Sequence, residues 1–204
     1  MRELSFSSDD HLFGLYIAGA HLENLLWLCE RSGGHETGGV LVGRYTDAHN
    51  CAVVTAISGP SSDSYRGKTT FYRGTRGLQL WLDRLWRSKH HYYLGEWHYH
   101  PHASAIPSLI DIRQMEAISN SLQYNCPEPV LLIIGGHVSA WEARAFVCPR
   151  TNGAIEMQRR VDGVAIDAFG IDEHRDELPN LRHQHERGNL ARRAASECRQ
   201  DQGG

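Results

Sequence analysis

Residues 92–111 read Tyr-Tyr-Leu-Gly-Glu-Trp-His-Tyr-His-Pro-His-Ala-Ser-Ala-Ile-Pro-Ser-Leu-Ile-Asp, a strand and a helix start joined by a short turn. The first half of this stretch alternates in the manner of a strand. Its second half opens a helix at Pro107 that runs to Leu122, with Ile110, Met115, Ile118 and Leu122 expected inward. On a strand, residues i and i+2 point to the same side, so His98 and His100 present two imidazoles together. Asp111 falls in the first turn of the following helix, where packing beside the strand's end would bring a carboxylate to them. Two nitrogens and one oxygen leave a fourth position open for water, as a catalytic rather than a structural zinc site does.

Upstream, residues 10–31 carry Leu15, Ala18, Leu22, Leu25, Leu26 and Cys29 at helical spacing, which predicts an amphipathic helix ending before Gly33-Gly34. TGGVLVGRYTD and NCAVVTAISG read as two valine-rich strands joined by a turn through Asp47 to Asn50. Residues 59–68 turn to Ser, Gly, Asp and Pro and predict an exposed loop. GLQLWLDRLWRSKHH places Leu78, Leu82, Leu85 and Trp86 on one helical face, with Trp81 and Trp86 expected in the core. PVLLIIGG reads as a strand buried on both faces, and SAWEARAFV as one that alternates. The resulting order, α, β-β, α, β, α, β-β, is a mixed α/β domain of the α+β type over residues 10–150. A mixed central β-sheet is flanked by helices. Residues 151–204 are expected to form a charged C-terminal extension, partly helical or flexible. From residue 170 onward it has no aromatic side chain with which to build a core.

Composition removes several classes of function. The chain has 204 residues, with Lys plus Arg 21, Asp plus Glu 24 and a net charge of −3, so it lacks the basic surplus of a nucleic-acid binder. Hydrophobic residues make up 41%, enough for a real core. No apolar run is long enough to span a membrane, and the N-terminus lacks a signal peptide's apolar stretch. Cys29, Cys51, Cys126, Cys148 and Cys198 are scattered without a CxxC pair, which suits a reducing cytoplasm. The stretch Arg66-Gly67-Lys68-Thr69 is not a phosphate loop, because Ser62 stands where that motif needs glycine.

A base completes the constellation. Glu36 lies in His35-Glu36-Thr37-Gly38-Gly39, at the junction of the first helix and first strand. Glycines there allow close backbone approach, so that a carboxylate can be fixed above the metal site. Such a group can take a proton from activated water and later deliver it to a leaving amine. Ser108, one helical turn before Asp111, can donate to a developing oxyanion, and it is equally suited to cap the helix. His35, His90, His91 and His137 read as surface or satisfied histidines. His183 and His185 repeat the H-x-H pattern without a carboxylate partner at useful spacing.

Glu36, His98-x-His100-Pro101, Ser108 and Asp111, in that order and spacing, resemble the JAMM signature of the JAB/MPN zinc metalloproteases, in their prokaryotic deubiquitinase-like branch. The resemblance spans residues 10–148. It implies the MPN/JAB (cytidine-deaminase-like) fold and one Zn2+ with a bound water, held by His98, His100 and Asp111. Glu36 and Ser108 would be the catalytic residues. The implied activity is cleavage after the C-terminal glycine of a ubiquitin-like protein, by deconjugation or precursor processing, in a bacterial antiviral defence system with E1-like and E2-like enzymes. Trimming of sulfur-carrier proteins and a non-catalytic MPN scaffold are the alternatives. Tyr99 departs from the serine or threonine common between the histidines, and should point away from the metal. The resemblance also implies that residues 59–76 lie along the tail of a ubiquitin-like substrate. The terminal Gly203-Gly204 resembles the end of such a substrate.

Overall fold

The computed structural model describes residues 3–160. The chain folds as β1 (Leu4–Ser7), β2 (Gly14–Ile17), α1 (Gly19–Glu30), β3 (Thr37–Tyr45), β4 (Cys51–Ile57), β5 (Tyr65–Arg66), β6 (Phe71–Tyr72), α2 (Leu78–Lys89), β7 (Tyr92–Pro101), α3 (Leu109–Asn120), β8 (Val130–His137), β9 (Ala140–Val147) and β10 (Ile155–Arg160). Eight strands pair as a closed barrel in the order β1-β10-β9-β8-β7-β3-β4-β2, and β5 and β6 form a separate hairpin. Pairing is antiparallel except for β2 with β4 and β7 with β8, so the sheet is mixed, as expected. No helix among the described residues is long and apolar enough to cross a membrane.

Strand β8 is the pivot of the packing. Leu132 and Ile134 enter the main core beside Trp97, Tyr99 and the Leu22, Leu25 and Cys29 face of α1. Leu131 and Ile133 point the other way, against Met115 and Ile118 of α3. A period of two, apolar on both phases, is what a strand sandwiched between two layers requires.

Four expectations need correction. The helix predicted over residues 10–31 is divided, because Gly14–Ile17 is a strand paired with β1 and β4. Leu15 and Ile17 reach the main core while Tyr16 packs with Cys51 and Val53, so the sheet's period overrides the helical one there. In α3, Met115 and Ile118 are buried as expected, but Ile110 is 55% and Leu122 79% exposed. Asp111, not Ile110, starts the inward stripe at 111, 115 and 118, and Leu122 lies beyond the helix end. Helix α2 buries none of its residues fully, so Trp81 and Trp86 are not core residues. Trp86 instead sets its ring edge-on to Tyr92 at 5.2 Å. Residues 59–76 are more than a loop: they hold the β5-β6 hairpin and a turn in which the Asp63 carboxylate accepts from the Thr75 and Arg76 amides. The sheet also reaches past residues 10–150 on both sides, since β1 pairs with β10. Cys198, the His183 and His185 pair, the terminal glycines and the rest of the extension beyond Arg160 lie outside the described residues.

Candidate metal centre

Strand β7 carries most of the site. His98 and His100 share one of its faces, and the intervening Tyr99 turns away into the core, where its hydroxyl donates to the Gly136 carbonyl at 3.0 Å. Trp97, also on the inner side, donates its indole N–H to the Ser58 carbonyl at 2.9 Å. The chain then leaves β7 and crosses β8 at Gly135, where the Gly136 amide donates to the Ala103 carbonyl at 2.7 Å. A Cβ on Gly135 would run into the backbone of Ala103, Ser104 and Ala105, so this crossing demands glycine. Past it, Ser108 caps α3 in a capping box. Its Oγ accepts from the Asp111 amide at 3.2 Å, and its own amide donates to Asp111 Oδ2 at 2.6 Å.

That cap delivers Asp111 to the histidines. Asp111 Oδ1 is 2.7 Å from His98 Nδ1, and Oδ2 is 3.8 Å from His100 Nε2. One donor atom from each of His98, His100 and Asp111 lies within 4.8 Å of the others. All three residues are buried.

The electrostatics favour a cation at this point. Burial disfavours a charged imidazole, yet the hydrogen bond to Asp111 and the nearby Asp111 and Glu96 carboxylates outweigh it and hold the His98 pKa at about 9. Burial likewise opposes the Asp111 carboxylate, but the His98 hydrogen bond and charge bring its pKa to about 2. His100 is pushed down by burial, which keeps its nitrogen lone pair free. A buried cluster that draws a proton this strongly has room electrostatically for a positive ion in its place. His98 Nε2 is also buried without a hydrogen-bond partner. Two imidazole nitrogens and one carboxylate suit a borderline divalent metal, so the residues fit the ion that the sequence implies.

Glu36 is brought alongside by the antiparallel pairing of β3 with β7. Thr37 faces Tyr99 and Gly38 faces His98, so Glu36 stands at the histidine end of the ladder. Its amide donates to the Gly67 carbonyl of the hairpin at 2.8 Å. Burial and the Asp111 charge raise its pKa, and His98 partly opposes them. A Cβ on Gly38 would meet the Trp97 carbonyl, the Phe71 ring and the His98 ring. Glycine therefore permits the close approach there. Phe71 of the hairpin sets its ring edge-on to His98 at 5.4 Å, and Tyr65 and Tyr72 of the same hairpin are exposed, their rings 6.2 Å apart.

His98, His100, Asp111, Ser108 and Glu36 are thus gathered at one rim of the barrel. Of the other histidines, His91 bonds Thr55 Oγ1 at 2.8 Å and His102 is exposed beside His137. Sequence reasoning missed the support behind His98. Glu96 is wholly buried on the same face of β7, paired with Arg73 at 2.8 Å and with Gln114 at 2.6 Å. Its i−2 spacing from His98 was the available signal.

The fold is a mixed α+β barrel in which two histidines and an aspartate converge as a group that could hold a metal ion. The chain belongs to the prokaryotic homologs of the JAB domain, whose family model matches residues 19–148. It is 36% identical over 159 residues to the CD-NTase/cGAS isopeptidase of Enterobacter hormaechei subsp. hoffmannii, covering 78% of this chain and 88% of the relative. It is 32% identical over 127 residues to the probable metalloprotease y4qB of Sinorhizobium fredii, covering 61% of this chain and 77% of the relative. The solution structure of protein DSY2949 from Desulfitobacterium hafniense is similar in fold, with a TM-score of 0.51 at 20% identity over 70% of this chain and 87% of that one.

Proposed function

We propose that this protein is a zinc-dependent isopeptidase that hydrolyses the amide bond after the C-terminal glycine of a ubiquitin-like protein. The observation that carries the reading is the convergence of His98, His100 and Asp111 beside Glu36. Similarity to an isopeptidase named for CD-NTase/cGAS supports a conjugate of a cGAS-like nucleotidyltransferase as the substrate. The setting we infer is a bacterial antiviral system, in the cytoplasm, with E1-like and E2-like enzymes that make the conjugate.

Bound by His98, His100 and Asp111, zinc supplies Lewis acidity to the scissile carbonyl and to water. Glu36 takes the proton of the attacking water and passes it to the departing lysine amine, so that the C–N bond breaks to carboxylate and amine. The raised Glu36 pKa suits a group that must both accept and return a proton. Ser108 Oγ accepts from the Asp111 amide, which leaves its O–H free to donate to the oxyanion. Residues 59–76, whose Gly67 carbonyl holds the Glu36 amide, line the approach of the substrate tail.

The test is turnover of a ubiquitin-like conjugate by wild type and Glu36→Gln, with zinc content measured on both. We expect kcat to fall by about 10²–10⁴-fold in the variant while about one equivalent of zinc is kept. Turnover undiminished in Glu36→Gln would overturn the assignment.

A further inference from the structure

Glu96 is the most deeply buried carboxylate among the described residues, with no exposed surface. A lone charge in that position is costly, and three donors meet it. Arg73 Nε donates to Oε1 at 2.8 Å, the Tyr93 hydroxyl to Oε1 at 3.2 Å, and the Gln114 amide to Oε2 at 2.6 Å. The Arg73 guanidinium is itself tied to the Tyr124 hydroxyl at 3.1 Å and the Gly74 carbonyl at 3.4 Å. Three donors therefore fix one carboxylate, and Tyr124 steadies the arginine among them.

What they fix it against is His98. The ring of His98 turns Nδ1 to Asp111 at 2.7 Å, on the side where the three donor residues converge. Its far nitrogen, Nε2, is buried, has no hydrogen-bond partner, and lies 3.7 Å from Glu96 Oε2. An imidazole presents a lone pair to a cation on one nitrogen only when the proton sits on the other. A carboxylate behind the ring selects that tautomer.

We propose that Glu96 is a positioning residue of the metal centre: it holds the His98 proton on Nε2, leaving Nδ1 to face Asp111 and His100, and Arg73 holds Glu96 in place. This rests on the reading of His98, His100 and Asp111 as metal ligands. It couples the segment carrying the β5-β6 hairpin to metal affinity, because Arg73 immediately follows Tyr72 of that hairpin. A purely structural pair would anchor the segment and leave the metal untouched.

The experiment uses the full chain. Zinc affinity is measured by competition with a chromophoric chelator for wild type, Glu96→Gln and the doubly neutral Arg73→Met/Glu96→Gln, with metal-free melting curves as the fold control. Zinc should bind about 10–100-fold more weakly in both variants. The double substitution removes both buried charges together and decides the matter if Glu96→Gln alone does not fold. In the zinc-loaded wild type, long-range 1H–15N correlation should place the His98 proton on Nε2, a readout that needs no variant. Unchanged affinity in a folded variant, or zinc on His98 Nε2, would overturn the proposal. Weakened variants of a wild type that cleaves no conjugate would instead refute the proposed function and leave this role of Glu96 standing.

Discussion

Replacing Ser108 with alanine separates two tasks assigned to one hydroxyl. The Oγ accepts from the Asp111 amide at 3.2 Å, while the reciprocal bond, from the Ser108 amide to Asp111 Oδ2 at 2.6 Å, is made by backbone and survives the substitution. Loss of a serine N-cap costs about 0.5–2 kcal/mol, and the long Oγ contact puts this one near about 1 kcal/mol. For a domain of 150–250 residues that lowers Tm by about 2–4 °C. Differential scanning calorimetry in chelator, where no metal can mask the effect, should show that drop in Ser108→Ala. Ser108→Asn keeps an N-cap acceptor and should recover most of it. Turnover is then read well below Tm, where the alanine variant is fully folded. A transition-state donor is worth about 10²–10³-fold in kcat, far more than a cap could change at that temperature. A Tm unchanged in Ser108→Ala, or equally low in Ser108→Asn, would refute the capping argument. A kcat unchanged in Ser108→Ala would remove the oxyanion role and leave the hydroxyl as a cap.

Three further outcomes are expected. In metal-free protein the folded His98 pKa of about 9 stands above its unfolded value of 6.5. Its contribution is therefore complete below about pH 6.5 and lost as pH rises to about 9. Tm in chelator should fall across that window, and a flat profile would contradict the pairing with Asp111. Gly135→Ala should displace the 103–105 crossing that leads from His100 to Asp111 and weaken zinc binding, read by the same chelator competition; wild-type affinity would show that the loop accommodates the methyl. Tyr65→Ala/Tyr72→Ala, at the exposed pair of the hairpin, should raise KM for a ubiquitin-like conjugate with kcat nearly unchanged. An unaltered KM would detach the hairpin from substrate binding.

The grouping of the candidate metal donors was legible because they are local: His98, His100 and Asp111 span fourteen positions, and a strand followed by a capped helix fixes their relation without help from the rest of the chain. Strand β8 was legible for a similar reason, since unbroken apolar character needs no partner to be recognised. The misread elements depend on partners distant in sequence. Gly14–Ile17 has apolar residues that fit a helix, and only pairing with β1 and β4 makes it a strand. Helix α2 shows a clean apolar stripe, but periodicity reports amphipathicity and not how much of the stripe finds cover. Glu96 carries no signal in the sequence beyond its spacing from His98, because its meaning comes from Arg73 and Gln114.

Glu36 sits between these cases, and the reason bears on how the site is held. It is more than sixty residues from His98, so its place depends on one register, Gly38 opposite His98 and Thr37 opposite Tyr99. A slip of two residues would carry it about 7 Å along the strand while every side chain kept its face, so alternation alone cannot forbid the error. Close packing can. Gly38 lies where a Cβ would strike the Trp97 carbonyl and the His98 ring, and Gly39 where one would strike Ser58. Two residues along β3, those places would fall to Val40 and Leu41, whose side chains cannot fit. The glycines that admit the carboxylate to the site thus also exclude the register that would withdraw it. The Trp97 bond to the Ser58 carbonyl ties β7 to the segment that follows β4, on the far side of β3. The candidate metal donors are set by a short piece of chain, and the proposed base by a lock between strands.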